Sequence, residues 1–252
     1  MKIIISPAKS LNFEKKIPFQ KHTLPNFLTE AQVVHTVVKK KNPKQLMELM
    51  DISEKLADLN WKRNQDWSLP FTPENARQAV FAFDGEVYIG LDAYSLTEVQ
   101  LQFLQERLFI LSGWYGVLRP LDLIQAYRLE MGTSLAVKSS KNLYEFWKTK
   151  ATEYVNKALS NDDIFVNLAS SEYAIVLDFK KIKATIITPE FKDYKDGKLK
   201  MISFFAKKAR GLMVRFIAET NAVSIDDLKK FNYEGYAFDA NLSTANKLVF
   251  TR

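Results

Sequence analysis

The sequence predicts an α/β protein built on a mixed sheet with some α+β character. Two observations carry that prediction. Short, fully apolar runs of strand length, such as Ile3-Ile4-Ile5 and Leu108-Phe109-Ile110-Leu111, recur along the chain. Between them lie longer stretches whose apolar residues fall at helical spacing. A third observation bounds the size. At 252 residues, with 47% hydrophobic and 26% charged side chains, the chain falls within the range of one α/β unit. No linker, repeat or low-complexity stretch divides it, so a single domain over 1–252 is expected.

The elements follow in order. Residues 2–5 form a run dominated by the β-branched Ile3, Ile4 and Ile5 and end at Ser6-Pro7, a buried strand feeding a loop. Phe27, Leu28, Ala31, Val34, Val37 and Val38 predict a helix over 24–41, which Asn42-Pro43 breaks. A second helix runs to Met50, and Ser53, Leu56 and Leu59 predict a third. Thr72-Pro73-Glu74 reads as an N-cap with proline in the first turn. Residues 79–83, before Asp84-Gly85, read as a strand and turn, 96–107 as a helix and 108–112 as a strand. Later come a helix over 143–159, strands over 164–168, 184–187 and 201–205, a long helix over 206–220 and a last strand over 247–250.

The absence of cysteine removes disulfides, thiolate metal sites and iron–sulfur ligation. His22 and His35 read as helix-surface or packing residues, so neither a metal site nor a cofactor is expected. The N-terminal apolar run is too short for a signal peptide, and no stretch has the length of a membrane span. A cytoplasmic protein without membrane contact is expected. Nothing in the residues sets its oligomeric state.

Charge is concentrated rather than spread. The segment 192–215 holds eight basic and two acidic residues, an excess of +6 where the whole chain carries +7. Such a segment attracts anions, phosphate above all, or is a solvated face. Polar clusters also follow the apolar runs: Ser6, Lys9 and Ser10; Asp84 and Glu86; Asn167, Ser170, Ser171 and Glu172; Lys207, Lys208 and Arg210. If the strands share a direction, these clusters meet at one sheet edge, where open α/β sheets bind ligands. Cations with interleaved aromatic and hydroxyl groups suit a nucleic acid or a nucleotide. Neither a GxxxxGK[ST] nor a GxGxxG phosphate loop is present. Glu86, Asp122, Glu130 and Glu172 are candidates either for acid–base work or for ion pairs with residues such as Arg119 and Arg128. Ser112-Gly113-Trp114-Tyr115-Gly116 reads as a tight hairpin, which either offers backbone amides to phosphate or serves packing alone.

Several unbroken blocks together resemble the YaaA family of bacterial peroxide-stress proteins. They are Ser6-Pro7-Ala8-Lys9-Ser10-Leu11, Phe83-Asp84-Gly85-Glu86-Val87-Tyr88, the run from Leu111 to Asp122, Tyr127-Arg128-Leu129-Glu130-Met131-Gly132, Asn167-Leu168-Ala169-Ser170 and the run from Phe205 to Gly211. The resemblance spans nearly the whole chain. It implies a compact single α/β domain of the cantaloupe-like kind and a cytosolic role in hydrogen peroxide stress, associated with low free intracellular iron. It also implies DNA binding, with little sequence preference, through a basic cleft and a helix-hairpin-helix-like element. Mapped onto this chain, the cleft residues are Lys9, Arg119, Arg128, Lys207, Lys208 and Arg210, and the hairpin falls at Ser112–Gly116. The alternative is an enzyme acting on a nucleotide, nucleoside or modified nucleobase.

Overall fold

The computed structural model describes residues 1–160 and 163–252. An eight-stranded mixed sheet organises it. In chain order its strands are β1 (Lys2–Ile5), β2 (Leu108–Ser112), β3 (Gly116–Leu118), β4 (Ile164–Leu168), β5 (Thr185–Lys195), β6 (Lys198–Lys200), β7 (Ala237–Asp239) and β8 (Lys247–Thr251). In space the order is β7-β8-β5-β4-β1-β2-β3, with β6 paired to β5. The β2–β1–β4–β5–β8 stretch is parallel, while β3, β6 and β7 join antiparallel.

The central strands are apolar for a physical reason. β1 and β2 are covered on both faces, so their runs are continuous: Ile3, Ile4 and Ile5 and all of Leu108–Ser112 are buried. β5 behaves differently. Ile187, Pro189, Phe191 and Asp193 are buried while their neighbours are partly exposed, the period-2 pattern of a sheet with one wetter face. Mixed charge in Glu190-Phe191-Lys192-Asp193 hides that alternation, and only the first residues of β5 read as strand.

Strand order reverses beside β1. The chain leaves β1 for β2 on one side and returns to β4 on the other, with Ile5 paired to both Ile110 and Leu168. The carboxyl ends of β1 and β4 therefore flank a topological switch point, where loops diverge and leave a crevice.

The helices Leu28–Val38, Pro43–Met50, Glu54–Asp66, Glu98–Arg107 and Leu143–Lys157 form where the apolar period predicts, with frayed ends trimmed by a few residues. Three local expectations are corrected. Residues 79–83 form the helical turn Ala79–Ala82 and then the short strand Phe83–Asp84, which pairs with Ser10–Leu11. A buried apolar run this short fits either state, and packing decides. Thr72-Pro73-Glu74 caps one turn only: Ala76 N donates to Thr72 O at 2.9 Å and the chain then extends. The predicted strand over 201–205 is absent. The helix Ser203–Thr220 absorbs Ser203, Phe204 and Phe205, because the buried positions Ala206, Ala209 and Met213 already set a helical period there.

Two glycines bring the helix Glu86–Leu91 against this long helix. A Cβ on Gly211 would lie 1.8 Å from Val87 O, and one on Gly90 2.2 Å from Lys208 O. Backbone thus meets backbone, and residues at the start of the short helix face the first turns of the long one.

Candidate functional site

The site begins with β1. Beyond Ile5, Ser6 Oγ accepts the Ser170 amide at 2.9 Å, tying the loop after β1 to the loop after β4. Tyr88 Oη donates to Ser6 O at 3.1 Å from within the core. Burial pushes the phenols of Tyr88, Tyr127 and Tyr173 well above their ordinary range, so they act as neutral donors and spacers. Pinned this way, Pro7, Ala8, Lys9 and Ser10 cross the carboxyl edge of the sheet and form one rim of a cavity of about 480 Å³. Asp84, Gly85, Glu86 and Val87 form a second rim, Ser170 to Tyr173 a third, and Lys207 and Arg210 the last.

The structure brings Lys9, Lys207, Arg210, Glu86 and Glu172 to this one cavity. Lys9 Nζ pairs with Glu130 Oε2 at 2.6 Å, and Glu130 also holds Arg128 at 3.5 Å. The Nε of Arg128 is buried with no hydrogen-bond partner among the described residues. Glu172 caps the next loop, accepting the Gly132 amide at 3.2 Å, while its carbonyl accepts from Tyr144 Oη at 2.8 Å. Lys9, Arg128, Glu130 and Glu172 also line a second concavity of about 410 Å³ beside the first. Lys207 and Arg210 have no ion-pair partner among the described residues. Arg210 is half-buried, and desolvation lowers its pKa, the signature of a cation without an anion beside it.

Three expected members lie elsewhere. Lys208 sits about 100° around the helix from Lys207 and pairs with Glu234 at 2.5 Å; Glu234 is also held by Arg252 at 3.3 Å. Arg119 follows β3, which runs back towards the amino end of the sheet. Its guanidinium rests on Phe109, 4.2 Å from the ring centroid, and donates to Gln105 O at 3.3 Å. Asp122 is buried at the same end, accepting from Thr23 Oγ1 at 2.6 Å and from Arg119 N at 2.7 Å. Burial raises its pKa to about 6 against those hydrogen bonds. Arg119 and Asp122 are therefore structural, and the sheet separates them from the cavity.

The hairpin is also corrected. Ser112–Gly116 joins two strands, not two helices, and every residue in it is buried. Ser112 Oγ accepts the amides of Trp114 and Tyr115, and Trp147 Nε1 donates to Gly113 O, so little is left for a phosphate. A pair of consecutive helices joined by a tight turn is formed by Pro43–Met50 and Glu54–Asp66. Asp51 turns the chain at φ 49°, and Leu46, Ile52 and Ala57 pack the pair together. The amides of Glu54, Lys55 and Leu56 have no acceptor among the described residues, and Ser53 at the N-cap makes no side-chain cap bond. Leu49, Met50 and Asp51 line the second concavity. The sequence signal was Leu46, then the Asp51-Ile52-Ser53 turn, then Ala57. Both helices were expected from the sequence, but with Asp and Ser in the turn no glycine marked them as a hairpin.

Fold and site together define a mixed α/β protein with a cation-rich cleft at the switch point of its sheet and a helical hairpin at its side. The family model described as peroxide stress protein YaaA matches residues 1–242, and the chain belongs to that family. It is similar to a UPF0246 protein of Flavobacterium johnsoniae, 68% identical over 252 residues covering all of both chains. A UPF0246 protein of Flavobacterium psychrophilum is 61% identical over the same length, again covering both chains fully. One from Neisseria meningitidis serogroup A is 51% identical over 254 aligned positions, spanning all of this chain and 98% of the relative.

Proposed function

We propose that this protein acts in the cytoplasm under peroxide stress by binding DNA, with little sequence preference, and so limits oxidative damage; the association with low free iron belongs to the same reading. The observation that carries it is the junction of the two concavities at Lys9. A strand lying across that junction would meet Arg128 and Lys9, then Lys207 and Arg210, with the turn Leu49–Asp51 of the helical hairpin at its side. Lys207 and Arg210 have no ion-pair partner among the described residues, Lys9 and Arg128 share Glu130, and cations of this kind hold phosphate without reading a base. No helix among the described residues is long and apolar enough to cross a membrane.

The test is binding to unrelated duplexes across a salt series. Log affinity falls linearly with log salt, with a slope of about −0.9 for each phosphate neutralised. A flat response would overturn the reading.

The enzyme alternative draws on Asp84 and Glu86, which enter the cavity without a cation partner among the described residues and have the chemistry to move protons. Glu86→Gln separates the two readings. DNA binding predicts unchanged or raised affinity and intact protection of stressed cells. Loss of protection with affinity intact would favour catalysis.

A further inference from the structure

The larger cavity has two chemically different walls. Lys207 and Arg210, one turn apart on the long helix, form a cationic wall with no carboxylate to answer it among the described residues. Asp84 and Glu86, on either side of Gly85, form an acceptor wall with no cation to answer it. A ligand that satisfies both carries an anion at one end and hydrogen-bond donors at the other. A volume of about 480 Å³ holds one small molecule and is far too small for a base pair with both its backbones.

We propose that this cavity takes one unpaired nucleotide, its phosphate against Lys207 and Arg210 and the donor edge of its base against Asp84 and Glu86. The inference rests on the phosphate-binding reading above and names what enters the site. Ionised carboxylates only accept hydrogen bonds. Guanine offers them two adjacent donors, N1–H and the N2 amine. Adenine and cytosine offer an exocyclic amine, and thymine a single N–H between two carbonyls. Guanine is therefore the preferred base and thymine the poorest.

Phe204 tells whether the nucleotide belongs to a strand. It lies one helical turn before Lys207 on the same side of the helix and is 55% exposed. Phe205, by contrast, lies under the Arg252 guanidinium, 4.9 Å from its ring centroid. A ring left open beside a phosphate site is where a neighbouring base stacks.

The test is calorimetric titration of the full chain with the four deoxynucleoside 5′-monophosphates, inorganic phosphate and a short single-stranded oligonucleotide. The expected result is dGMP tightest and TMP weakest, about tenfold apart. Arg210→Gln weakens every monophosphate. The double variant D84N/E86Q keeps binding but levels the ranking. If either variant fails to show a native thermal transition, Lys207→Gln stands in for Arg210→Gln, and Glu86→Gln alone for the double variant. If the nucleotide sits in a strand, Phe204→Ala weakens the oligonucleotide about tenfold and leaves the monophosphates unchanged. If the nucleotide is free, Phe204→Ala changes neither. Inorganic phosphate binding as tightly as every monophosphate would reduce the site to a plain anion site and overturn the inference. So would absence of monophosphate binding while salt-dependent duplex binding persists, an outcome that leaves the DNA-binding reading standing.

Discussion

The two ends of the parallel strands carry similar residues and use them in opposite ways. At the amino end, the N-terminal ammonium pairs with Asp163 at 2.9 Å, Lys2 donates to Glu106 O, Arg119 lies on Phe109, and Asp122 is sealed under Thr23. Each charge there is spent inside the fold. At the carboxyl end, Lys207, Arg210, Asp84 and Glu86 line one cavity, and none of the four has an ion-pair partner among the described residues. Charge density alone therefore does not mark a site. What marks it is charge left unanswered, and the topology decides where that happens. Loops diverge at the switch point, so the carboxyl edge cannot close on itself.

The contact that shapes the open end is the strongest place to break this contrast. Gly211→Ala puts a methyl group into Val87 O, backbone against backbone, where no side chain can yield. The expected result is a loss of roughly 3 kcal/mol or failure to fold, read by denaturant titration. A variant as stable as the parent would mean that the two helices slide apart freely and that the cavity walls are not fixed.

Next in size is a pair of reciprocal effects. Lys207→Gln with Arg210→Gln removes the two proposed phosphate contacts, so the log–log salt slope of DNA binding should fall by about 1.8, with stability held within about 0.5 kcal/mol. Arg119→Gln should do the reverse, costing about 1–2 kcal/mol of stability through its lost ring contact and hydrogen bond while the salt slope stays put. If Arg119→Gln weakens DNA binding and the double variant does not, the assignment of the two ends is inverted.

How much of this contrast could be read from the chain alone depended on the kind of information each residue carries. The strands β1, β2 and β4 were legible because burial on both faces demands an unbroken apolar run. The gathering of Lys9, Glu86 and Glu172 was legible as far as each follows a buried segment, whereas Lys207 and Arg210 reach the cavity from inside a helix, and residues 201–205 before them are mostly exposed. The excess of +6 in 192–215 is partly answered by charges that mostly lie elsewhere in the sequence. Glu190 meets Lys192, Asp196 meets Lys200, Glu234 meets Lys208, and Asp92 and Glu219 meet Arg215; of the four cations without a partner among the described residues, Lys195 and Lys198 lie at the β5–β6 hairpin and Lys207 and Arg210 line the cavity. Strand direction was equally hidden. Arg119 and Asp122 belong to the same block as Ser112, yet β3 turns back and carries them to the far end.

The sealed end should announce itself through pH. The folded-state pKa of Asp122 is raised to about 6 by burial, above its unfolded value of 3.8. Between those values the folded state binds more protons than the unfolded one, so this residue makes stability fall as pH rises from about 4 to about 6. The swing is roughly 2–3 kcal/mol. Comparing Asp122→Asn with the parent across that window isolates it: the difference in unfolding free energy should narrow as pH rises. Asp163 acts in the opposite sense. Burial alone would raise it, but hydrogen bonds from Ser160 and the N-terminal ammonium hold it down at about 2, so its contribution is present above about pH 4 and is lost as pH falls towards 2. A parent-to-Asn difference that does not vary between pH 4 and 6 would show that Asp122 is ionised throughout.

The smallest expected effect sharpens the contrast within a single helix. Lys208 neighbours Lys207 in sequence but is turned away from the cavity onto Glu234, with both side chains about a third exposed. Lys208→Ala should leave the salt slope of DNA binding unchanged. The stability lost should be under about 1 kcal/mol, because a partly exposed ion pair gains little over its hydration and Arg252 still holds Glu234. Lys207→Ala, one residue earlier, should lower the slope by about 0.9 and leave stability alone. Measuring the two side by side under the same salt series tests whether position around the helix, rather than charge, assigns a cation to the ligand. Equal slopes for the two variants would mean that both lysines see the phosphate field alike, and that the cavity wall is not what distinguishes them.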